Sequence, residues 1–254
     1  MWGVVQTIRK PIIPILFLCL VSNLFAVPVP PNVTVKRDIP YVTGGGTRQH
    51  LDLYLPDGYE KSAKPLPLIV IIHGGAWAMG DKNQEHYMLD GVFQAILKNG
   101  DYILVSINYR LLDAGSFPIQ LEDCKSAIRW LRAHAKEYNI DPQHIGVWGG
   151  SAGGHLAALV GTTADVKQFD VGENPDQSSR PQAVCDFCGS SDLMLTVNNP
   201  DYKKIPHIPL IEKFIGKPIP ESAEEARRAS ATTYVTKDDP PFLLVHGTAD
   251  SVNF

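Results

Sequence analysis

The chain is 254 residues long, 44% hydrophobic and 20% charged, which suits one α/β domain with a sizeable core. A formal net charge of −4 removes the electrostatic reason to expect nucleic acid. Neither an internal repeat nor a metal-ligand cluster stands in the sequence.

The first thirty residues are a different material. Arg9 and Lys10 precede the apolar run Pro11 to Val21, and Ala26 precedes the loop-like Pro28-Val29-Pro30-Pro31. This reads as a secretory signal peptide over 1–26, which makes residues 27–254 a secreted or periplasmic domain. The competing reading retains Pro11 to Val29 as a membrane anchor, nearly long enough to span, and only then is membrane contact expected. Removing the leader leaves Cys124, Cys185 and Cys188, an odd count that argues against a disulfide framework.

Thr34 to Tyr41 and Gln49 to Leu55 alternate apolar and polar residues about the turn Thr43-Gly44-Gly45-Gly46, predicting two antiparallel edge strands. Apolar runs at 68–72, 102–107, 144–148, 183–187 and 241–246 then alternate with helical segments, the pattern of a parallel sheet with helices on both faces. Pro67 to Ile72 is apolar throughout, as in a strand buried on both sides, and ends in His73-Gly74-Gly75-Ala76-Trp77. Two glycines in succession let backbone N–H groups approach a developing negative charge, with His73 bracing the loop. The clearest helix spans 119–138, where Leu121, Cys124, Ile128, Leu131 and Ala135 recur at steps of three and four. Cys124 lies on its inner face.

Ile145-Gly146-Val147-Trp148 runs into Gly149-Gly150-Ser151-Ala152-Gly153-Gly154. A strand, a turn flanked by small residues and a helix of small residues lift a serine onto a helix N-terminus, the arrangement of a nucleophile elbow. Ser151 is the candidate nucleophile, and the N–H groups of Gly74, Gly75 and Ala152 form the candidate oxyanion hole. Segments 165–180 and 193–230, rich in Asp, Asn, Pro, Lys and Glu, break the strand–helix rhythm and are expected as irregular, cap-like insertions. Tyr202, His207 and Phe214, together with Trp77, are candidates to contact a substrate or simply to pack the insertion. Cys185 and Cys188 lie three apart in a strand pattern, pointing to opposite faces and packing as small hydrophobes. Pro241 to His246 is a last buried strand, and Gly247-Thr248-Ala249-Asp250 leaves its carboxyl end, where ligands bind on such sheets.

Taken together, His73-Gly-Gly-Ala-Trp77, Gly80-Asp81-Lys82, Asn108-Tyr109-Arg110, Gly149-Gly-Ser-Ala-Gly-Gly-His155 and His246-Gly-Thr-Ala-Asp250 resemble the α/β-hydrolase superfamily over residues 35 to 254. More narrowly they resemble its esterase/lipase group, which includes feruloyl and acetylxylan esterases and hormone-sensitive-lipase-like carboxylesterases. The resemblance implies an α/β-hydrolase fold, a serine carboxylic ester hydrolase working through an acyl-enzyme, and no cofactor. It favours acetyl or feruloyl esters linked to polysaccharide, or a small-molecule ester. An arylformamidase- or peptidase-like amide hydrolase on the same fold, and a non-catalytic binding protein, are the alternatives.

On that fold the triad runs Ser, Asp or Glu, then His. Ser151 and Asp250 match the first two, while Asp192, the rival acid, reads as a helix N-cap or loop residue. The eight histidines, His50, His73, His86, His134, His144, His155, His207 and His246, all precede Asp250. The resemblance places the base beyond one further strand. The expectation is therefore a chain cut before that strand, its closing helix and the catalytic histidine, and nearly inactive because an unassisted serine hydroxyl is a poor nucleophile. His207 is the substitute placed to swing over the site. His155 would sit one turn into the helix facing its packing partners, and His246 belongs to a strand end. The run 241–246 would be an uncovered apolar edge, a hazard for aggregation.

Overall fold

The computed structural model describes residues 29–83 and 90–250. The leader read over 1–26 and His86 lie outside them. Among the described residues no helix is long and apolar enough to cross a membrane.

Seven strands form one sheet in the order β1-β2-β4-β3-β5-β6-β7. They are β1 (Val33–Pro40), β2 (His50–Pro56), β3 (Leu66–Ile72), β4 (Ile103–Ile107), β5 (Ile140–Gly150), β6 (Ala183–Phe187) and β7 (Phe242–Val245). β1 and β2 run antiparallel, β2 pairs antiparallel with β4, and every pairing from β4 through β3, β5 and β6 to β7 is parallel. This is the mostly parallel sheet that the apolar runs predict, with β1 as its antiparallel edge; β2, expected at the edge too, lies between β1 and β4 and is buried along nearly its whole length.

The central strand shows why an unbroken apolar run is needed. Leu68, Val70 and Ile72 of β3 face one core, which also holds Leu121 and Ile128 of α2 (Ile119–Ala133) and Leu156 and Leu159 of α3 (Ala152–Thr162). Ile71 faces the opposite core, with Phe93 and Leu97 of α1 (Asp90–Asn99). With helices on both faces, a polar residue at any of these positions would lose about 1.5–3 kcal/mol of burial.

Two expectations change. The helix predicted over 119–138 ends at Ala133, because the His134 ring stacks on Trp130 at 3.9 Å and its Nδ1 bonds the Trp130 carbonyl at 2.8 Å. Beyond it the chain goes on in irregular turns through Asn139, with the Tyr138 N–H on the His134 carbonyl at 3.3 Å. Segment 193–230 is helical where composition predicted irregular loops: α4 (Met194–Val197), α5 (Ile208–Ile215) and α6 (Ala223–Arg228) lie within it. The prolines obscured α5, yet Pro209 sits in its first turn, where its missing N–H costs nothing. Ile208, Ile211, Phe214 and Ile215 are its buried stripe.

The two insertions also part company. Segment 165–180 follows the carboxyl end of α3, an 11-residue helix and hence about 16 Å from Ser151 at the other end. There it is strapped to α2: Lys125 Nζ reaches the Thr163 carbonyl at 2.7 Å and Asp170 at 2.9 Å, while Arg129 Nε donates to the Glu173 carbonyl. This removes 165–180 from the substrate side and leaves 193–230 as the segment rising from the carboxyl end of β6.

Candidate active site

The serine turn is held by packing that only glycine permits. Ser151 has φ 53° and ψ −120°, a conformation that costs an L-residue about 1–3 kcal/mol and persists only where the surroundings over-determine it. A Cβ on Gly149 would overlap the Gly153 carbonyl, and one on Gly153 would overlap the carbonyl oxygen of Ile72. Hydrogen bonds fix the turn from both sides, Ser151 N–H to the Phe187 carbonyl at 2.8 Å and His155 N–H to the Ser151 carbonyl at 3.0 Å. Ser151 is half-buried, while Ala152 behind it is buried at the start of α3.

Because Gly153 abuts Ile72 and His73, the first turn of α3 lies against the loop that leaves β3. That loop doubles back sharply. Gly75 has φ 104°, Ala76 φ 51° and Trp77 φ 57°, and the Gly75 carbonyl accepts N–H groups from Ala78 and Met79, both at 3.0 Å. A Cβ on Gly75 would collide with the Met79 carbonyl. His73 braces the loop: its ring stacks on Tyr109 at 4.3 Å and its Nδ1 bonds the Gly74 carbonyl at 2.8 Å. Burial pushes His73 down to about 4, so the ring is neutral at physiological pH. Tyr109 adds a hydroxyl hydrogen bond to the His73 carbonyl at 2.9 Å.

Sequence reasoning left Gly80-Asp81-Lys82 and Asn108 without roles, and the structure supplies them. Asn108 Oδ1 accepts the Lys82 N–H at 2.7 Å and its Nδ2 donates to Asp81 at 2.9 Å. Lys82, 3% exposed, pairs with Asp38 at 2.7 Å and with the fully buried Asp52 at 3.0 Å. Burial alone would lower the Lys82 ammonium, but these two carboxylates hold it above its ordinary range. The far end of the loop is thereby anchored to the β1–β2 margin.

The acid side is built differently. β5, β6 and β7 are in register at Gly150, Phe187 and Val245, so the loop after β7 opens two strands from Ser151. Asp250 caps that loop with its N–H on the Gly247 carbonyl at 3.1 Å, and its carboxylate lies 3.3 Å from His246 Nε2. His207, at the N-terminus of α5, feels the same carboxylate: burial lowers its pKa, and the Asp250 charge opposes that shift. Among the described residues, His246 and His207 are thus the histidines gathered about Asp250. Asp192 takes the N–H of Met194 at 2.9 Å as α4 begins.

Sequence reasoning also passed over Asp186. Its Oδ1 accepts the Gly189 N–H at 2.8 Å and its Oδ2 the Ser191 hydroxyl at 3.0 Å, with burial raising its pKa. The available signal was an acid at a core-facing position of β6, beside the elbow. Of the residues offered for a substrate pocket, Trp77 and Phe214 are 4% and 0% exposed and stack on each other at 4.2 Å, so they form the wall behind the loop. Tyr202 and His207 are only half-buried. Among the described residues, Cys124, Cys185 and Cys188 form no disulfide.

A BD-FAE family model matches residues 51–253. The chain is 32% identical to a probable carboxylic ester hydrolase, LipM, of Mycobacterium tuberculosis (strain ATCC 25618 / H37Rv), over 82% of this chain and 46% of that protein. It therefore spans about half the length of the curated relatives it matches. A bifunctional GH43-CE protein of Bacteroides eggerthii superposes with TM-score 0.75 at 32% identity, covering 86% of this chain and 29% of that one. A truncated form of a carbohydrate esterase from gut microbiota superposes with TM-score 0.71 at 31% identity, covering 87% and 79%.

Proposed function

Because the chain belongs to the BD-FAE family, we propose that it carries the acyl-transfer site of a serine carboxylic ester hydrolase acting on acetyl or feruloyl groups esterified to polysaccharide. The observation that carries this reading is the strained Ser151 turn, with φ 53°, in which Gly149 packs on Gly153 and Gly153 on Ile72 and His73, where the Gly74-Gly75 loop begins. Ser151 Oγ attacks the ester carbonyl carbon, and the N–H groups of Gly74, Gly75 and Ala152 receive the oxyanion at the N-terminus of α3, where the helix dipole adds to them. Collapse of the tetrahedral intermediate expels the alcohol, and water hydrolyses the acyl-enzyme by the reverse path. The serine proton goes to a histidine base that Asp250 orients; the family resemblance places that histidine after Asp250, where none of the eight histidines of the given sequence stands. The signal-peptide pattern over residues 1–26 supports a site outside the cytoplasm, where polysaccharide esters are met. The polysaccharide class is supported by the carbohydrate-esterase neighbours.

The test is hydrolysis of p-nitrophenyl acetate, of acetylated xylan and of feruloylated arabinoxylan, each with its Ser151→Ala control. Release of p-nitrophenol, acetate or ferulate that disappears in the variant supports the assignment. Release that Ser151→Ala leaves unchanged overturns it, and cleavage of the matching anilide in preference to the ester would favour the amide hydrolase.

A further inference from the structure

His155 is fully buried, one turn down α3 from Ser151, and the acyl-transfer steps above leave it unused. Its ring nevertheless spends both nitrogens on other segments. Trp77 Nε1–H points at Nδ1 from 3.3 Å, and Nε2 meets the Ala229 carbonyl at 2.7 Å. An indole only donates and a carbonyl only accepts, so the imidazole is neutral with its hydrogen on Nε2. The ring also stands edge-on to Trp77 at 5.2 Å and to Phe214 at 5.4 Å.

Three segments therefore converge on one side chain. Trp77 belongs to the loop carrying Gly74 and Gly75, His155 to the helix carrying Ser151 and Ala152, and Ala229 and Phe214 to the 193–230 insertion. The loop needs such a hold. Ala76 and Trp77 both have positive φ, a backbone state that L-residues leave unless neighbours fix it. Gly74 and Gly75 stand three and two residues from Trp77, so a loose indole lets their amides drift from Ser151.

We propose that His155 is a positioning residue, which sets the oxyanion loop against the nucleophile helix through Trp77 and ties both to the insertion through Ala229. The proposal rests on the reading of Gly74 and Gly75 as oxyanion donors. A preorganised donor is worth about 10²–10³ in rate, and displacing the pair without deleting it should cost about tenfold.

The rate of phosphonylation of Ser151 by a fluorophosphonate, measured on the full chain, separates the two ideas. Labelling of the parent chain that Ser151→Ala abolishes sustains the site; the acyl-transfer reading fails if labelling is absent both from this chain and from one extended past Asp250 to supply a base histidine. Given that labelling, Trp77→Phe keeps an aromatic ring to stack on Phe214 while deleting the N–H donor along with part of the indole's volume, and should slow the reaction about tenfold. His155→Phe should slow it similarly or more, and the double variant should lose no more than the larger single effect, because both break one link. His155→Gln, which offers an acceptor and a donor, should restore part of the rate and of the parent's Trp fluorescence maximum. Parent-like labelling in Trp77→Phe and His155→Phe, or equal loss in His155→Phe and His155→Gln at matched melting temperature, would overturn the proposal.

Discussion

The two sides of the candidate site are held to very different standards. On the Ser151 side, the elbow, the Gly74-Gly75 loop and the start of α3 are packed backbone to backbone, and Asn108, Lys82, His73, Tyr109 and Trp77 fix the loop along its length. On the Asp250 side, β7 is four residues long and Leu243 and Leu244 are 60% and 65% exposed. The Asp250 carboxylate is itself 18% exposed beside His246. Oxyanion stabilisation demands fixed dipoles, whereas an acid that only orients a base can work from a softer loop.

The contrast is sharpest at Ser151 itself. Ser151→Ala should abolish whatever ester turnover the chain shows, a loss that reaches about 10⁶ only where a base histidine is in place, while preserving the melting temperature, since the methyl fits where the hydroxymethyl stood. A steady-state assay with a thermal melt of each protein checks both halves of that expectation. Asp250→Asn should cost less, on the order of 10⁴ in kcat where a base histidine is in place, with little effect on stability for a partly exposed loop residue. A loss equal to that of Ser151→Ala would mean the two sides are equally rigid.

Backbone packing gives the next largest effect. Gly153→Ala places a methyl inside the Ile72 carbonyl and should cost several kcal/mol of stability, read as a fall in the denaturation midpoint. Gly247, which has open space around the position of a Cβ, is its counterpart: Gly247→Ala should change stability by less than about 1 kcal/mol.

Acid should expose the same asymmetry. His73 and His155 are both buried on the Ser151 side with pKa values lowered to about 4. Unfolded, each binds a proton near pH 6.5, so the unfolded state gains protons that the folded state refuses. Stability should be unaffected above pH 6.5 and decline from there to about pH 4, by about 3 kcal/mol for each ring. Melting temperatures across this range should fall for the parent, with a shallower slope in His155→Gln; superimposable slopes would contradict the buried neutral ring.

The smallest effect belongs to the far edge. The β1 margin carries Lys36, Arg37 and Asp38 and a register shift between Lys36 and Ile39, devices that discourage strand addition. β7 is the other edge among the described residues and presents apolar side chains. Leu244→Lys should alter stability by no more than about 0.5 kcal/mol yet reduce self-association in sedimentation velocity; equal association would show the edge to be covered in solution.

How far the sequence carried the reading follows the same division. Among the described residues the parallel strands were legible because a sheet covered on both faces forces apolar runs, β1 and β2 because they alternate apolar and polar residues, and the elbow because Gly149 and Gly153 answer a steric demand that no other residue meets. The α5 helix was not, since Pro206 and Pro209 mask an apolar stripe whose spacing is otherwise helical. The placement of segment 165–180 at the pole away from Ser151 depends on Lys125 and Arg129 reaching backbone carbonyls, and carbonyls leave no trace in composition. Trp77 and Phe214 look alike as pocket or core residues until packing is known. The His246–Asp250 contact depends on how a single loop folds back.

The most direct measurement is a crystal structure of the chain after reaction with a phosphonate ester. Phosphorus bonded to Ser151 Oγ, with its free oxygen about 2.7–3.1 Å from the Ala152 N–H and from that of Gly74 or Gly75, is the expected density. An unmodified Ser151 buried beneath its neighbours, or a phosphonyl oxygen turned away from those amides, would contradict the hydrolytic site.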